Sequence, residues 1–297
     1  MKILKRIGII LGGLVGLIVI LVAVLYFVGR SRLANAPEVA TSPVTIPTDA
    51  EAMALGEYLG QAVLPCTGCH GENFAGEVFI DETPIGYVPA PNLTAGAGGV
   101  GGMYTDEDWE RAIRHGVGGD GRMLTFMPSH SFANISDKDL GALIAYLKSV
   151  PPVDSYLGER DMMLPGTIIF GVFDYSSLPI AKIDHENVGS DKPLAGVTAE
   201  YGEYLLNVAA CRECHADNLA GNVDPNGPPL GPNLTPGGEL QGWMEEDFLR
   251  IFREGVKPTG TAVSEEMPWR EFGRMDDEEL QAIWLYLQSI EALPNNQ

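Results

Sequence analysis

The sequence is poor in basic residues and in cysteine. Its 297 residues hold 19 Lys and Arg against 40 Asp and Glu, a net charge of −21. The first 32 positions contain Lys2, Lys5, Arg6, Arg30 and Arg32 and no acid, which leaves 14 basic and 40 acidic residues, a net charge of −26, for the rest. That balance excludes non-specific nucleic-acid binding, because phosphate needs cations. It fits a partner with a basic docking face. No stretch shows strand periodicity, and 36 Gly with 21 Pro predict extensive loops. No Cys precedes Cys66, so lipid attachment to an N-terminal Cys is not expected.

Charge is also missing from Ile7 to Val28, a run of 22 residues. As a helix it measures about 33 Å, enough for a bilayer core. Lys2, Lys5 and Arg6 before it favour a cytoplasmic N-terminus. A cleavable signal would have a shorter apolar region, about 7–15 residues. Ala34-Asn35-Ala36 resembles a cleavage site, but Pro37 behind it disfavours cutting. The expectation is a single-pass anchor over residues 1–32 in the cytoplasmic membrane, with the remainder on the periplasmic side. Gly8, Gly12 and Gly16 read as glycines ordinary to membrane helices rather than as a pairing motif. Residues 33–48, with Pro37, Pro43 and Pro47, read as a tether.

Beyond the tether the chain repeats itself. Gly56-Glu57-Tyr58-Leu59 matches Gly202-Glu203-Tyr204-Leu205. Pro91-Asn92-Leu93-Thr94 matches Pro232-Asn233-Leu234-Thr235. Arg114, Gly116 and Val117 match Arg253, Gly255 and Val256. Met127-Pro128 matches Met267-Pro268. Leu140, Leu143, Ile144 and Leu147 share helical spacing with Leu280, Ile283, Trp284 and Leu287. Capping boxes are predicted at Thr48/Glu51, Thr105/Asp108, Ser136/Asp139 and Asp276/Glu279. Two units follow, 49–153 and 198–297, joined by a connector at 154–197. Each is a few helices linked by long loops, so its protein core is thin.

All four Cys lie in two copies of one motif, Cys66-Thr67-Gly68-Cys69-His70 and Cys211-Arg212-Glu213-Cys214-His215. CxxCH is the attachment sequence of c-type haem. Two thiols reach the two vinyl groups of one porphyrin, and the adjacent His lies under the iron. The haem also supplies the missing apolar centre. Zinc would leave the His after each pair unexplained. Disulfides leave it equally unexplained, and a thioredoxin-like motif needs strands that the sequence does not show.

Each unit resembles a class I cytochrome c domain: an N-terminal helix, CxxCH, loops, a Met-Pro loop and a C-terminal amphipathic helix. With the PNLT segments and Gly101-Gly102-Met103-Tyr104-Thr105 or Gly242-Trp243-Met244, the chain is similar to the cytochrome c subunits of membrane-bound alcohol and gluconate dehydrogenases. Those subunits carry three haem domains, and this chain has two. The resemblance implies an all-α fold, with a transmembrane helix followed by two tandem domains rich in Gly/Pro loops. It implies two covalently bound haem c groups on Cys66, Cys69, Cys211 and Cys214, with His70 and His215 as iron ligands.

Class I domains place a Met sulfur opposite the His. The second unit holds no His besides His215, so Met244, Met267 and Met275 are the choices. Met267 precedes Pro268 and lies 52 residues after His215, matching Met127 at 57 residues after His70. Met127 and Met267 are therefore the expected sixth ligands, with His115 and His130 as alternatives in the first unit. His115 otherwise reads as a helix-surface residue and His185 as solvated. Two roles stay open for Pro91 and Pro232: a carbonyl that orients the His, or a loop shape. Asn92 and Asn233 are open between loop backbone and haem propionate. The apolar stretch Met162–Phe173, 12 residues, is too short to span a bilayer and is expected to pack across the two domains or on a partner.

Two irons closed by His and Met pass single electrons and bind no substrate. The expectation is an electron carrier between a periplasmic donor, such as a dehydrogenase, and an oxidase or soluble cytochrome. The alternative is a di-haem enzyme, peroxidase-like or thiosulfate-oxidising, with one open or labile iron.

Overall fold

A computed structural model describes residues 2–189, 191–225 and 227–297. The chain begins with α1 (Lys2–Ala34), whose residues up to Leu21 are all exposed. Residues 35–48 do not stand off as a tether. They run extended over the first unit, where Ala36 N–H donates to Gly121 O at 3.0 Å. Val44 and Ile46 pack on the core.

The first unit contains α2 (Ala50–Tyr58), the one-turn α3 (Cys66–His70), α4 (Asp106–His115), α5 (Ser129–Phe132) and α6 (Asp137–Ser149). Asp49 rather than Thr48 caps α2, accepting from Ala52 N–H at 2.9 Å. Thr105 and Asp108 form the predicted capping box of α4. The second unit repeats these as α9 (Ala199–Val208), α10 (Cys211–His215), α11 (Glu245–Glu254), α12 (Trp269–Phe272) and α13 (Asp277–Ser289). In both units the first and last helices cross at a glycine. A Cβ on Gly56 would collide with the Ala142 carbonyl, and one on Gly202 with that of Ala282. Only glycine lets the backbones approach so closely.

The all-α expectation holds in part. The fold is mostly helical, but β1 (Glu77–Glu82) and β2 (Gly86–Ala90) form an antiparallel hairpin, extended by β3 (Asp161–Met162) from the connector. Ile80 stands opposite Val88, and Gly86 opposite Met162. Val78, Phe79, Ile80, Tyr87 and Val88 favour the strand. Most of β1 is exposed on both faces, so the hairpin writes no alternation of apolar and polar residues into the sequence. Among the described residues the second unit has no named strand.

The connector continues through α7 (Leu164–Ile168), a wider turn to Phe173, and α8 (Pro179–Lys182). It does not hold the units together alone, because they dock directly on each other through matched tyrosines. Tyr204 donates to Asp139 Oδ2 at 2.6 Å and accepts from Ser136 N–H at 3.2 Å, at the start of α6. Tyr58 donates to Glu279 and accepts from Asp276 N–H at 2.8 Å, at the start of α13. Each unit thus caps the last helix of the other. Burial, then the neighbouring carboxylate, holds both phenols above their ordinary range, so they remain donors.

Tyr204→Phe removes a buried hydrogen bond to a carboxylate, worth about 1.5–3 kcal/mol. We expect a lower unfolding temperature and faster proteolysis within 184–197. Unchanged temperature and cleavage would place the docking energy elsewhere.

Candidate haem-binding sites

Each CxxCH motif is one helical turn, so positions i, i+3 and i+4 share a side. Cys66, Cys69 and His70 therefore face one way, as do Cys211, Cys214 and His215. Both sets line one continuous cavity of about 1940 Å³. An ordinary small-ligand pocket is about 300–1,000 Å³, so this space suits two large groups. Leu64, Ile113, Phe132 and Leu143 wall the first part, and Leu206, Phe252, Phe272 and Ile283 the second.

The histidines are held alike. His70 Nδ1 lies 2.8 Å from Pro91 O, and His215 Nδ1 lies 2.7 Å from Pro232 O. A carbonyl only accepts, so each Nδ1 carries the proton and each Nε2 keeps its lone pair. Burial also pushes both imidazoles below their usual range, against the opposing pull of that carbonyl. Neutral imidazole with a fixed tautomer is the form that binds a metal. The role left open for the prolines is thus resolved towards orienting the His.

The Asn of each PNLT segment holds backbone. Asn92 Nδ2 donates to Val153 O at 2.7 Å, and Asn233 Nδ2 to Leu293 O at 2.9 Å. Asn92 Oδ1 accepts from Thr94 N–H, and Asn233 Oδ1 from Thr235 N–H, both at 2.8 Å. The Asn and Thr latch the segment after the last helix onto the loop that carries the orienting carbonyl. A second repeated tie joins α4 and α11 to the entry of those helices. Arg114 Nη2 donates to Ile135 O and Asp137 Oδ1, both at 2.6 Å. Arg253 Nη2 donates to Met275 O at 2.7 Å and Asp277 Oδ1 at 2.5 Å.

The thiols are free, and burial dominates their chemistry. It pushes Cys66 up to about 12, with the Cys69 charge adding to the effect. Cys211 is likewise raised to about 12, and Cys214 to about 11, where Glu213 and Glu266 add to burial. Among the described residues no group of three or more His, Cys, Asp or Glu is placed to hold a bare metal ion. The donor set fits haem c instead: two thiols and one neutral imidazole beside an apolar space. Trp109 lines that space, and its buried Nε1 has no partner, which suits a carboxylate-bearing ligand.

Met127 and Met267 both line the cavity. Met244 is 65% exposed and lies outside it. Met123 and Met275 also line the cavity from well-packed positions, 0% and 2% exposed. His130 lies elsewhere, with Nε2 2.6 Å from Glu213 Oε1 in the second CxxCH turn. Ser131 Oγ donates to the same oxygen at 3.0 Å. The loop after Met127 is therefore docked on the second motif. The sequence carried no sign of this, because Glu213 reads only as a filler position of CxxCH.

His115 is not a surface residue but fully buried. Its ring stacks on His185 with centroids 5.2 Å apart, and the Nδ1 atoms are 2.9 Å apart. The connector folds over α4, tied by Gly189 N–H to Ala133 O at 2.6 Å. His185 is thus partly buried rather than solvated, and neither ring lines the cavity.

Residues 54–151 match the cytochrome c family, and residues 198–287 match the cbb3-type cytochrome c oxidase subunit III family. The chain is similar to the fructose dehydrogenase cytochrome subunit of Gluconobacter japonicus, at 27% identity over 85% of this chain and 55% of that protein. It is similar to the gluconate 2-dehydrogenase cytochrome c subunit of Pantoea cypripedii, at 30% identity over 80% of this chain and 59% of that protein. A diheme cytochrome c-type protein of Cereibacter sphaeroides is 26% identical over 77% of this chain and 82% of its own length. The chain thus spans little more than half of the two dehydrogenase subunits.

Asn233→Ala removes one of the two side-chain donors to the half-buried Leu293 carbonyl, Thr235 Oγ1 being the other, and the acceptor of Thr235 N–H, at about 1 kcal/mol per hydrogen bond. We expect faster amide hydrogen exchange at Leu293 and Thr235, with the first unit unaffected. Unchanged exchange at both amides would show that the latch does not hold the segment.

Proposed function

Residues 54–151 and 198–287 are cytochrome c domains, and from that premise we propose a membrane-tethered di-haem carrier that passes single electrons from a periplasmic dehydrogenase to an oxidase or soluble cytochrome. The observation that carries this reading is the one cavity lined by both CxxCH turns, each with its His tied to a proline carbonyl. Cys66 and Cys69 attach one haem, and Cys211 and Cys214 the other. His70 and His215 would supply Nε2, and Met127 and Met267 their thioether sulfurs, as ligands to the irons. When bound, each haem supplies reversible one-electron exchange at iron, with a potential that the soft thioether raises.

The chain's own residues do the rest. The proline carbonyls fix the imidazoles. The apolar walls exclude water. Tyr58, Tyr204 and the His130–Glu213 contact hold the two sites in one body. The names of the similar proteins support a dehydrogenase as donor. The net charge of −26 beyond residue 32 supports a partner with a basic face.

The unit boundaries follow as 1–32 anchor, 33–48 linking segment, 49–153 first domain, 154–197 connector and 198–297 second domain. An uncleaved anchor is supported by the buried end of α1. Leu33 is 4% exposed and packs with Val117, Met123, Leu178 and Ile180. Its carbonyl accepts from Arg160 Nη2 at 2.9 Å. Cutting after Ala36 would discard these contacts. Lys2, Lys5 and Arg6 before the apolar run, against Arg30 and Arg32 after it, support a periplasmic side for the haem domains.

A reduced absorption spectrum of the purified chain should show two haem c per polypeptide and no change with carbon monoxide. Met267→Ala should make half the haem bind carbon monoxide and lower one potential by on the order of 0.1 V. Met275→Ala should do neither. Carbon monoxide binding by the unaltered protein would favour the enzyme reading over the carrier.

The rate of electron exchange with a basic-faced partner should fall as ionic strength rises. A rate independent of salt would remove charge from the docking step.

A further inference from the structure

The C-terminal end of α1 packs on a second apolar helix. The exposure of α1 first falls at Val22, inside the uncharged run, and Gly29 is buried where it meets the helix spanning Leu164–Phe173. The crossing is backbone on backbone. A Cβ on Gly29 would lie 2.5 Å from Thr167 O, and one on Gly171 would collide with Gly29 itself. Gly29 directly follows Val28, the last residue of the run. A span of Ile7–Val28 fills the hydrocarbon core, so this crossing sits at its outer boundary.

The crossing helix carries no charge between Asp161 and Asp174. Its outward side chains are uncovered. Met163 is 46% exposed, Leu164 47% and Phe173 70%, and none of the three lines the cavity, whereas Ile169 does. On the helix's inner side Phe170 meets Phe126, which meets Phe79 of the hairpin, with centroids at 5.1 and 6.3 Å, and all three line the cavity. A belt of cations and phenols marks the same level. Arg30 Nη1 donates to Tyr26 OH at 3.2 Å, and the Arg32 guanidinium lies 5.3 Å from the Tyr175 ring centre. Such residues favour the headgroup region.

We propose that the Leu164–Phe173 helix is a second membrane element, lying in the outer interface beside α1 with Met163, Leu164 and Phe173 in the acyl chains. This rests on the reading of α1 as an uncleaved anchor. The occupant of the patch is lipid, because the patch is continuous with the exposed side of a helix whose own surface requires lipid. An interfacial helix buries its apolar face about 5–10 Å into the boundary. Two contacts instead of one remove the freedom of the haem domains to swivel about a single span. The electron-transfer sites then hold one orientation to the bilayer.

The test uses the full haem-loaded chain in phosphatidylcholine–phosphatidylglycerol nanodiscs. Single nitroxide labels are placed by Phe173→Cys, Leu164→Cys, Val15→Cys and Gln288→Cys. Spin relaxation by oxygen, which concentrates in lipid, is compared with relaxation by a water-soluble nickel chelate. We expect oxygen to dominate several-fold at positions 15, 164 and 173, and the chelate to dominate at 288. Oxygen at 15 with chelate at 164 and 173 would overturn the proposal and leave the anchor standing. Chelate at 15 would overturn the anchor and the proposal with it. Shielding of 164 and 173 from both reagents would mean that protein covers the patch, and the lipid assignment would fall.

Discussion

The hydrogen bond from a histidine Nδ1–H to a proline carbonyl is the constraint on which the rest of this structure depends. It is made twice, at 2.8 and 2.7 Å. It fixes which nitrogen faces the cavity, and so what the cavity can hold. The carbonyl lies in a loop, and a loop alone does not keep a carbonyl in place. The PNLT latch provides the support by tying that loop to the segment after the last helix. The last helix is in turn seated by the Gly56–Ala142 or Gly202–Ala282 crossing. Imidazole, carbonyl, latch and helix crossing form one dependency, repeated with the same partners in both units.

The same repetition explains the docking of the units. Because each carries a tyrosine at the same place in its first helix, each can cap the last helix of the other. The arrangement follows the logic of an isologous dimer, in which one patch meets its own copy. Here the two copies lie in one chain, so the contact need not wait for association. A cavity continuous from one CxxCH turn to the other depends on this fixed relation. The contact of His130 with Glu213 closes the interface next to the second motif.

Much of this was legible in the sequence. The two motifs, the duplication, the long apolar N-terminal helix and the amphipathic helices follow from spacing, whereas of the four predicted capping boxes only Thr105–Asp108 forms in full. The Thr105–Asp108 box stands where capping chemistry placed it. What escaped the reading is non-local. The hairpin is exposed on both faces, so no alternation betrays it. His115 looks like a surface residue on its own helix and is buried only because the connector folds over it. Tyr58 and Tyr204 were visible as a repeat, but their partners stand 221 and 65 residues away. No short-range pattern encodes such a pair.

The differences between the units have a direction. The second unit is the plain version: helices, loops, motif and latch. The first adds the β-hairpin, the His115–His185 stack and the apolar helix of the connector, and it receives the end of α1. The hairpin and the connector helix lie together, joined by β3 and by the Phe79–Phe126–Phe170 contacts. A duplicated domain under identical demands has no reason to elaborate one copy on one side. A bilayer around α1 would impose such a one-sided demand, because it would meet only the copy nearest that helix. The asymmetry of the additions is therefore what the proposed membrane face would produce.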